Sequence, residues 1–431
     1  MQRFIGNYRK HIGNVFLFKL AGRQLRNRTL KVLGNVQKQT SPIQMKVFLE
    51  EPCMSTQKLL LFFPVITWAS RTQRPQHIAR EFRNDGFLIL YPTMTIQKKH
   101  DSDIYFEPLE EGIYQLWLHG SKKLNLYQDT ISELDLKNIL TAFEQVIDAI
   151  NPVEIVIFVE YPIWGPLAAK IKESFPRASL LYDCLDDHQD FKNANSAICN
   201  LENFLLEKSD LVLASSQVLF DKLVPLSSST KLVRNACDFN FFKKHEGEDT
   251  NRVKIQQVVG YFGAISDWFD ESLVYFAATR LPQVKFKLIG STMGGQIHEL
   301  QKLPNVELTG EISYDRLPAE LREFDVAIIP FKIQPLTNAT NPVKIYEYFS
   351  QGKPVVAVNL PELKMLETLC YIAHDREEFV RHLDLALVEN NQELETRRIT
   401  FAAANQWSSR YSEIKLHTNK IKKKSLQLNE N

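Results

Sequence analysis

The sequence predicts an α/β protein built from two successive doubly wound parallel sheets, each flanked by helices. Its 431 residues exceed the size at which one hydrophobic core keeps growing, so two domains are expected. Short apolar, β-branched runs alternate with helix-like stretches, which is the signature of βα units on a parallel sheet. The alternation stops at a polar bridge, KKHEGEDTNRVK (243–254), and then restarts.

Taken in order, the strands of the first half are predicted at 59–66, 87–91, 114–118, Glu154–Val159, 179–182 and 210–214. Those of the second half are Val258–Phe262, Lys285–Ile289, 306–309, 325–329 and 354–358. A final helix is predicted over 397–414. The expected organisation is a basic extension (1–50), a first Rossmann-like domain (51–242), a second (255–396), and a C-terminal helix with a basic tail (397–431). Ligands of such units sit beyond the carboxyl ends of the strands, here in a cleft between the two domains.

Apolar residues make up 44% of the chain and the formal net charge is +1, which excludes a disordered or generally nucleic-acid-binding protein. The cysteines (Cys53, Cys184, Cys199, Cys237, Cys370) are scattered and form no CxxC pair. That pattern argues against a disulfide framework or zinc site and for a reducing cytoplasm. The longest apolar runs, near 59–65 and 155–159, are too short to span a bilayer, and no signal peptide is expected. Residues 1–49 hold ten Lys or Arg and no acid. Interleaved with Ile5, Val15, Phe16, Leu17, Phe18 and Leu20, these charges suit peripheral contact with an anionic membrane surface. An organellar transit peptide and a plain solvated extension are the alternatives.

The stretch NPVKIYEYFSQGKPVVAV (341–358) carries the most chemistry. Asn341-Pro342 opens a short helix, Gly352 closes it, and a buried strand follows. Free N–H groups at such an N-terminus can hold a diphosphate. Glu347, about one and a half turns on, can accept hydrogen bonds from a ribose diol. Lys344 would offset the charge building on a departing diphosphate. The bland alternatives are a solvated helix acid at Glu347 and an i,i+3 surface ion pair between the two.

This segment resembles the donor-binding motif of retaining, group-1 nucleotide-sugar glycosyltransferases of the GT-B fold, the bacterial type that makes cell-surface polysaccharides such as teichuronic acid and exopolysaccharide. RPQHIAREFRNDG (74–86), LLYDCLDD (180–187), RNACDFNFF (234–242), VVGYFGAISDWFD (258–270), PNVELTGEISYDRLP (304–318) and FDVAIIPF (324–331) fit the same family in order, over roughly 58–411. The resemblance implies two Rossmann-like domains facing a cleft, with the C-terminal helix crossing back to the first domain through Trp407 and Arg410. It implies a nucleotide-sugar co-substrate, UDP-linked, and no metal or other cofactor.

The resemblance makes Glu347 the second acid of a paired-glutamate motif, the one that holds the donor ribose. The first acid would fall at 339, where this chain has Ala339; its role would pass to Thr340, Asn341 or backbone amides, with Val343 beside them. Gly263, Gly290, Gly310 and Ile312 are the expected donor-binding loop positions. The Arg and Lys usual after the first glycine are replaced by Ala264 and by Trp268 or Phe269, so Lys332 is an alternative source of cation. Asp270 is read as a helix cap.

On the acceptor side, Trp68, Arg71 and Arg74 follow the first strand, the two arginines sharing a helix face as an anion clamp. Glu160 stands where relatives often carry a histidine. Asp183, with Asp186 and Asp187, reads as capping or acceptor-hydroxyl binding, or alternatively as a divalent-metal cluster. The expected reaction moves a hexose-type sugar to a polysaccharide or lipid-linked acceptor. A related epimerase and a non-catalytic, sugar-nucleotide or partner-binding lobe pair are the competing readings.

Overall fold

The computed structural model describes residues 43–44, 58–98, 104–188, 196–243 and 256–429. The basic extension 1–50 apart from 43–44, and the polar bridge 243–254 apart from Lys243, lie outside the described residues. Among the described residues eighteen strands run in chain order: β1 Ile43–Gln44, β2 Lys58–Phe63, β3 Phe87–Pro92, β4 Thr95–Lys98, β5 Tyr105–Glu110, β6 Ile113–Trp117, β7 His119–Gly120, β8 Leu124–Asn125, β9 Glu154–Val159, β10 Ser179–Cys184, β11 Leu211–Ala214, β12 Thr230–Leu232, β13 Val258–Phe262, β14 Lys285–Ile289, β15 Val306–Gly310, β16 Val326–Ile329, β17 Val355–Val358 and β18 Tyr371–Ala373.

The first sheet has the order β1-β5-β6-β3-β2-β9-β10-β11-β12. From β6 to β12 every pairing is parallel, and β5 and β1 add an antiparallel edge. The second is wholly parallel in the order β15-β14-β13-β16-β17-β18. Counted from β13 this is 3-2-1-4-5-6, the doubly wound order whose switch point lies between its first and fourth strands, here β13 and β16. In the first sheet the direction reverses between β2 and β9. Each reversal leaves a crevice at the strands' carboxyl ends.

Side chains alternate across β2. Leu59, Leu61 and Phe63 enter one core with the helices Glu133–Ile150 and Gly165–Ser174, while Leu60 and Phe62 enter another with the helix Arg74–Asn84. This second face is closed by the C-terminal helix Trp407–Asn429, through Trp407, Tyr411 and Ile414. Tyr411 packs edge-on against Phe82 and its hydroxyl donates to Asp85. The crossing back to the first sheet is therefore present. The predicted helix 397–414 is in fact two, Gln392–Ala404 and Trp407–Asn429. They break at Asn405-Gln406, where Gln406 bridges Cys237 of the linker leaving the first sheet.

The strands absent from the sequence reading are short, apart from β5, which is irregular. β12 and β18 are three residues each, and β5 contains Pro108 with a register shift beside it. Among the described residues no helix is long and apolar enough to cross a membrane.

Candidate functional site

At the second sheet's switch point the chain turns sharply after β13 and after β14. The Gly263 N–H donates to the Ile289 carbonyl at 2.8 Å, and the Gly290 N–H to the Gly310 carbonyl at 2.9 Å. The three loops thus form one backbone shelf. Gly290 has φ +153°, and a Cβ there would stand 1.7 Å from the Gly263 carbonyl oxygen. Gly263 has φ +139°, and its missing side chain makes room for Lys344, whose Cε would lie 2.2 Å from a Cβ. Close packing of protein on protein is enough to require both glycines.

Lys344 belongs to the helix Val343–Ser350, which begins immediately after Pro342 and ends before Gly352, at φ +70°. Its ammonium lies 5.6 Å from the Tyr261 ring centre and 5.7 Å from that of Phe331. Tyr261 is itself fixed by donating its hydroxyl to the Ala264 carbonyl at 3.0 Å. Burial, partly offset by Glu347 and reinforced by Arg71, lowers the Lys344 pKa to about 8. Glu347 is 7% exposed, and burial raises its carboxyl to about 7 against the opposing pull of Lys344. Among the described residues the two form no ion pair with each other or with anything else. Neither bland alternative holds: Glu347 is not a solvated helix acid, and Lys344 is not paired with it on the surface. An acid and a base, both displaced toward neutrality, line the same crevice.

Arg71 approaches from the first domain. It lies in the coil after β2, and its Nε donates to Glu311 Oε1, just beyond β15, at 2.5 Å. The loop carrying it is tied down along its length. Trp164 Nε1 donates to the Pro64 carbonyl, Tyr127 to Val65, Tyr91 to Ile66 and Gln76 to Trp68. The Val65 N–H donates to Glu160 at 3.2 Å. Arg71 and Lys344 therefore bring two cations to one cleft, the second from the N-terminal turn of a helix.

Several expected residues are engaged elsewhere. Arg74 is the first residue of the helix Arg74–Asn84 while Arg71 is outside it, so they share no helix face. Arg74 is buried and grips both Asp183 oxygens at 2.8 Å, with further bonds to the Val233 and Arg234 carbonyls. The paired anion clamp expected from Arg71 and Arg74 is thus not formed: Arg74 is the partner of Asp183, and Arg71 pairs with Glu311. Asp187 pairs with Lys222 at 2.6 Å. Lys332 pairs with Glu271 at 2.9 Å and does not supply the missing cation.

Asn341 does not turn its side chain to the cleft. Its Oδ1 accepts from the Asn235 N–H and the Tyr346 hydroxyl, and its Nδ2 donates to Glu362. Thr340 donates to the Leu336 carbonyl, and Val343 packs on the first domain's core. Ala339 is buried within that same domain's cluster, where a carboxylate would have no solvent. Trp68 leans edge-on against Tyr91, with Arg80 over its ring.

Phe269 is fully buried and Trp268 packs beside it, so those positions are core. Asp270 caps the helix Glu271–Arg280 by accepting from the Leu273 N–H. Ile312 packs against the second core, whereas Gly310, at φ +74°, faces open space.

Glu160 is fully buried. Burial first, and then the charge of Asp183, push its carboxyl well above the usual range, and its Oε1 has no hydrogen-bond partner among the described residues. Residues not singled out from the sequence also shape the cleft. Tyr261, Phe331 and Glu311 lay within recognised segments but on positions without a local signal. Glu362, Arg234 and Asn235 act through contacts more than one hundred residues apart in sequence or between the domains.

Comparison with known proteins agrees with this architecture. Residues 256–388 match the family described as glycosyl transferases group 1. TuaH of Bacillus subtilis (strain 168), provisionally assigned as a teichuronic acid biosynthesis glycosyltransferase, is 26% identical over 230 residues, which is 50% of this chain and 58% of that protein. The match thus spans less than two thirds of that relative's length. Sucrose-phosphate synthase from Thermosynechococcus elongatus superposes with a TM-score of 0.66 at 14% identity, over 85% of this chain and 99% of the other. HepE of Anabaena, solved in complex with UDP and glucose, gives 0.58 at 17% identity, over 83% and 98%. The chain thus has the GT-B fold, and its second sheet lies within the residues, 256–388, that match the group 1 glycosyltransferase family.

Proposed function

We propose that the protein is a retaining glycosyltransferase. It moves a hexose-type sugar from a UDP-linked donor to a polysaccharide or lipid-linked acceptor on the inner side of the cell envelope. The observation that carries the reading is the placing of Glu347 and Lys344, unpaired and displaced toward neutrality, beside the glycine shelf at the second sheet's switch point. Glu347 accepts the ribose hydroxyls, and the start of the helix Val343–Ser350 with Lys344 and Arg71 holds the diphosphate. Positive charge there stabilises the leaving group as the glycosidic bond to phosphate breaks. The leaving phosphate oxygen takes the acceptor proton, so no strong base is required. The UDP complex of HepE supports the choice of nucleotide.

The test is calorimetric titration of UDP, GDP and ADP, repeated with Glu347→Ala. UDP is expected to bind best and to lose at least tenfold, about 1.4 kcal/mol, in the variant. Absence of binding by a folded wild-type protein overturns the reading. A second reading, nucleotide binding without transfer, is favoured by the burial of Ala339 in the first domain's core. Release of UDP from any UDP-sugar disposes of it.

A further inference from the structure

Resting on that reading, we infer that Glu362 is a positioning residue that sets the orientation of the two domains and so places Arg71 opposite Lys344. Glu362 lies on the short 3-10 helix Pro361–Leu366, after β17, and its side chain is wholly buried. Its carboxylate binds three separate segments. Oε1 accepts from the Gln217 N–H, at the start of the first-domain helix Gln217–Leu223, at 2.5 Å. Oε2 accepts from Arg234 Nε, in the linker between the sheets, at 2.9 Å. The same oxygen accepts from Asn341 Nδ2 at 2.8 Å, two residues before the helix that bears Lys344 and Glu347.

The contacts continue into the first domain. Asn235 donates twice to Asn341, from its backbone N–H at 2.9 Å and its Nδ2 at 2.6 Å. The Asn235 carbonyl accepts from Arg410, and its Oδ1 from Arg74, which is locked to Asp183. One buried acid therefore connects the donor helix, the linker and the first domain through charge-assisted bonds that a neutral side chain cannot reproduce. Removing its charge leaves the partly buried Arg234 guanidinium and two amide donors competing for weaker acceptors. The second sheet, its glycine shelf and Lys344 do not depend on these bonds. Loss of Glu362 should release the domains from one another and withdraw Arg71 from the diphosphate, while the contacts made by Glu347 and Lys344 stay in place.

The test compares wild-type protein with Glu362→Gln by small-angle scattering, UDP titration and UDP release from UDP-glucose. The expected result is a larger radius of gyration with UDP bound, a loss of UDP affinity no greater than that caused by Arg71→Ala, and a fall in turnover of at least about tenfold. An unchanged radius of gyration overturns the inference whatever the activity. So does a loss of UDP affinity clearly greater than that of Arg71→Ala, because it would place Glu362 in the donor pocket itself. Where Glu362→Gln does not fold, Arg234→Gln removes one partner of the acid and should give the same divergence between binding and turnover. A wild-type protein that binds no UDP sinks the proposed function, yet the scattering comparison still decides the role of Glu362.

Discussion

Glu347 and Lys344 hold their charges against the grain of their surroundings, and both consequences can be measured. The folded-state pKa of Glu347 lies above its unfolded value of 4.5. The native state therefore binds more protons than the unfolded state between pH 4.5 and about 7. Stability is lost as pH rises through that window and stays lower above it. Glu347→Gln should thus be more stable than wild type at pH 8, by about 2 kcal/mol, with the difference vanishing near pH 4 in denaturant melts. The same change should weaken UDP, a conflict between stability and binding common at functional sites.

Lys344 is cationic below about pH 8 and Glu347 ionised above about 7. UDP affinity should therefore peak between these values and fall on the alkaline side as the ammonium is lost. The apparent values belong to the pair and not to either residue. An affinity that stays flat from pH 7 to 9.5 would remove Lys344 from the diphosphate site.

The scale of the element is where the glycine shelf matters. Strands β13, β14 and β15 end side by side, and their loops touch through backbone atoms. Gly290→Ala would drive a methyl into the Gly263 carbonyl, which has no flexible end to give way. A loss of at least about 2 kcal/mol is expected, read from the melting transition. Gly310 meets nothing within 4 Å, so Gly310→Ala should carry only the cost of its positive φ. Equal effects of the two would mean that backbone conformation, and not close packing, governs the shelf. The helix Val343–Ser350 was legible in the sequence because proline at its start and glycine past its end are local signals. The engagement of Asn341, two residues before it, was not legible, because Asn235 and Glu362 lie 106 and 21 residues away along the chain.

For the whole molecule, the domains meet in an aromatic stack as well as in the polar network around Glu362. His77 stacks on Trp407 at 5.0 Å and hydrogen-bonds Tyr314 at 3.3 Å, and Tyr314 stacks on Phe241. Burial, with Arg80 nearby, lowers the His77 pKa from 6.5 to about 3. Its neutral form therefore supports the fold fully above pH 6.5, and that support is lost as pH falls toward 3. The loss should reach about 1.4 kcal/mol per pH unit from this group. His77→Phe keeps the stack and removes the proton, so its stability should decline less steeply between pH 6.5 and 4. Identical slopes for the two proteins would show that other groups dominate acid unfolding.

The chain's own pattern determined the two sheets, the central strands of each, the helix that carries Glu347, and the glycine turns. These follow from local rules: apolar runs make buried strands, and proline and glycine bound short helices. Tertiary structure alone decided which charged groups remain available for a ligand. Arg71 and Arg74 look equivalent in sequence, yet Arg74 is buried on Asp183 and three further acceptors while Arg71 reaches the cleft and pairs there, among the described residues, with Glu311 alone. Lys332 and Lys344 both follow second-sheet strands, and among the described residues Lys344 has no ion-paired carboxylate whereas Lys332 has Glu271. The reason is physical. A buried charge must find a partner or shift its pKa, and the partner comes from whichever distant segment folding brings within about 3 Å.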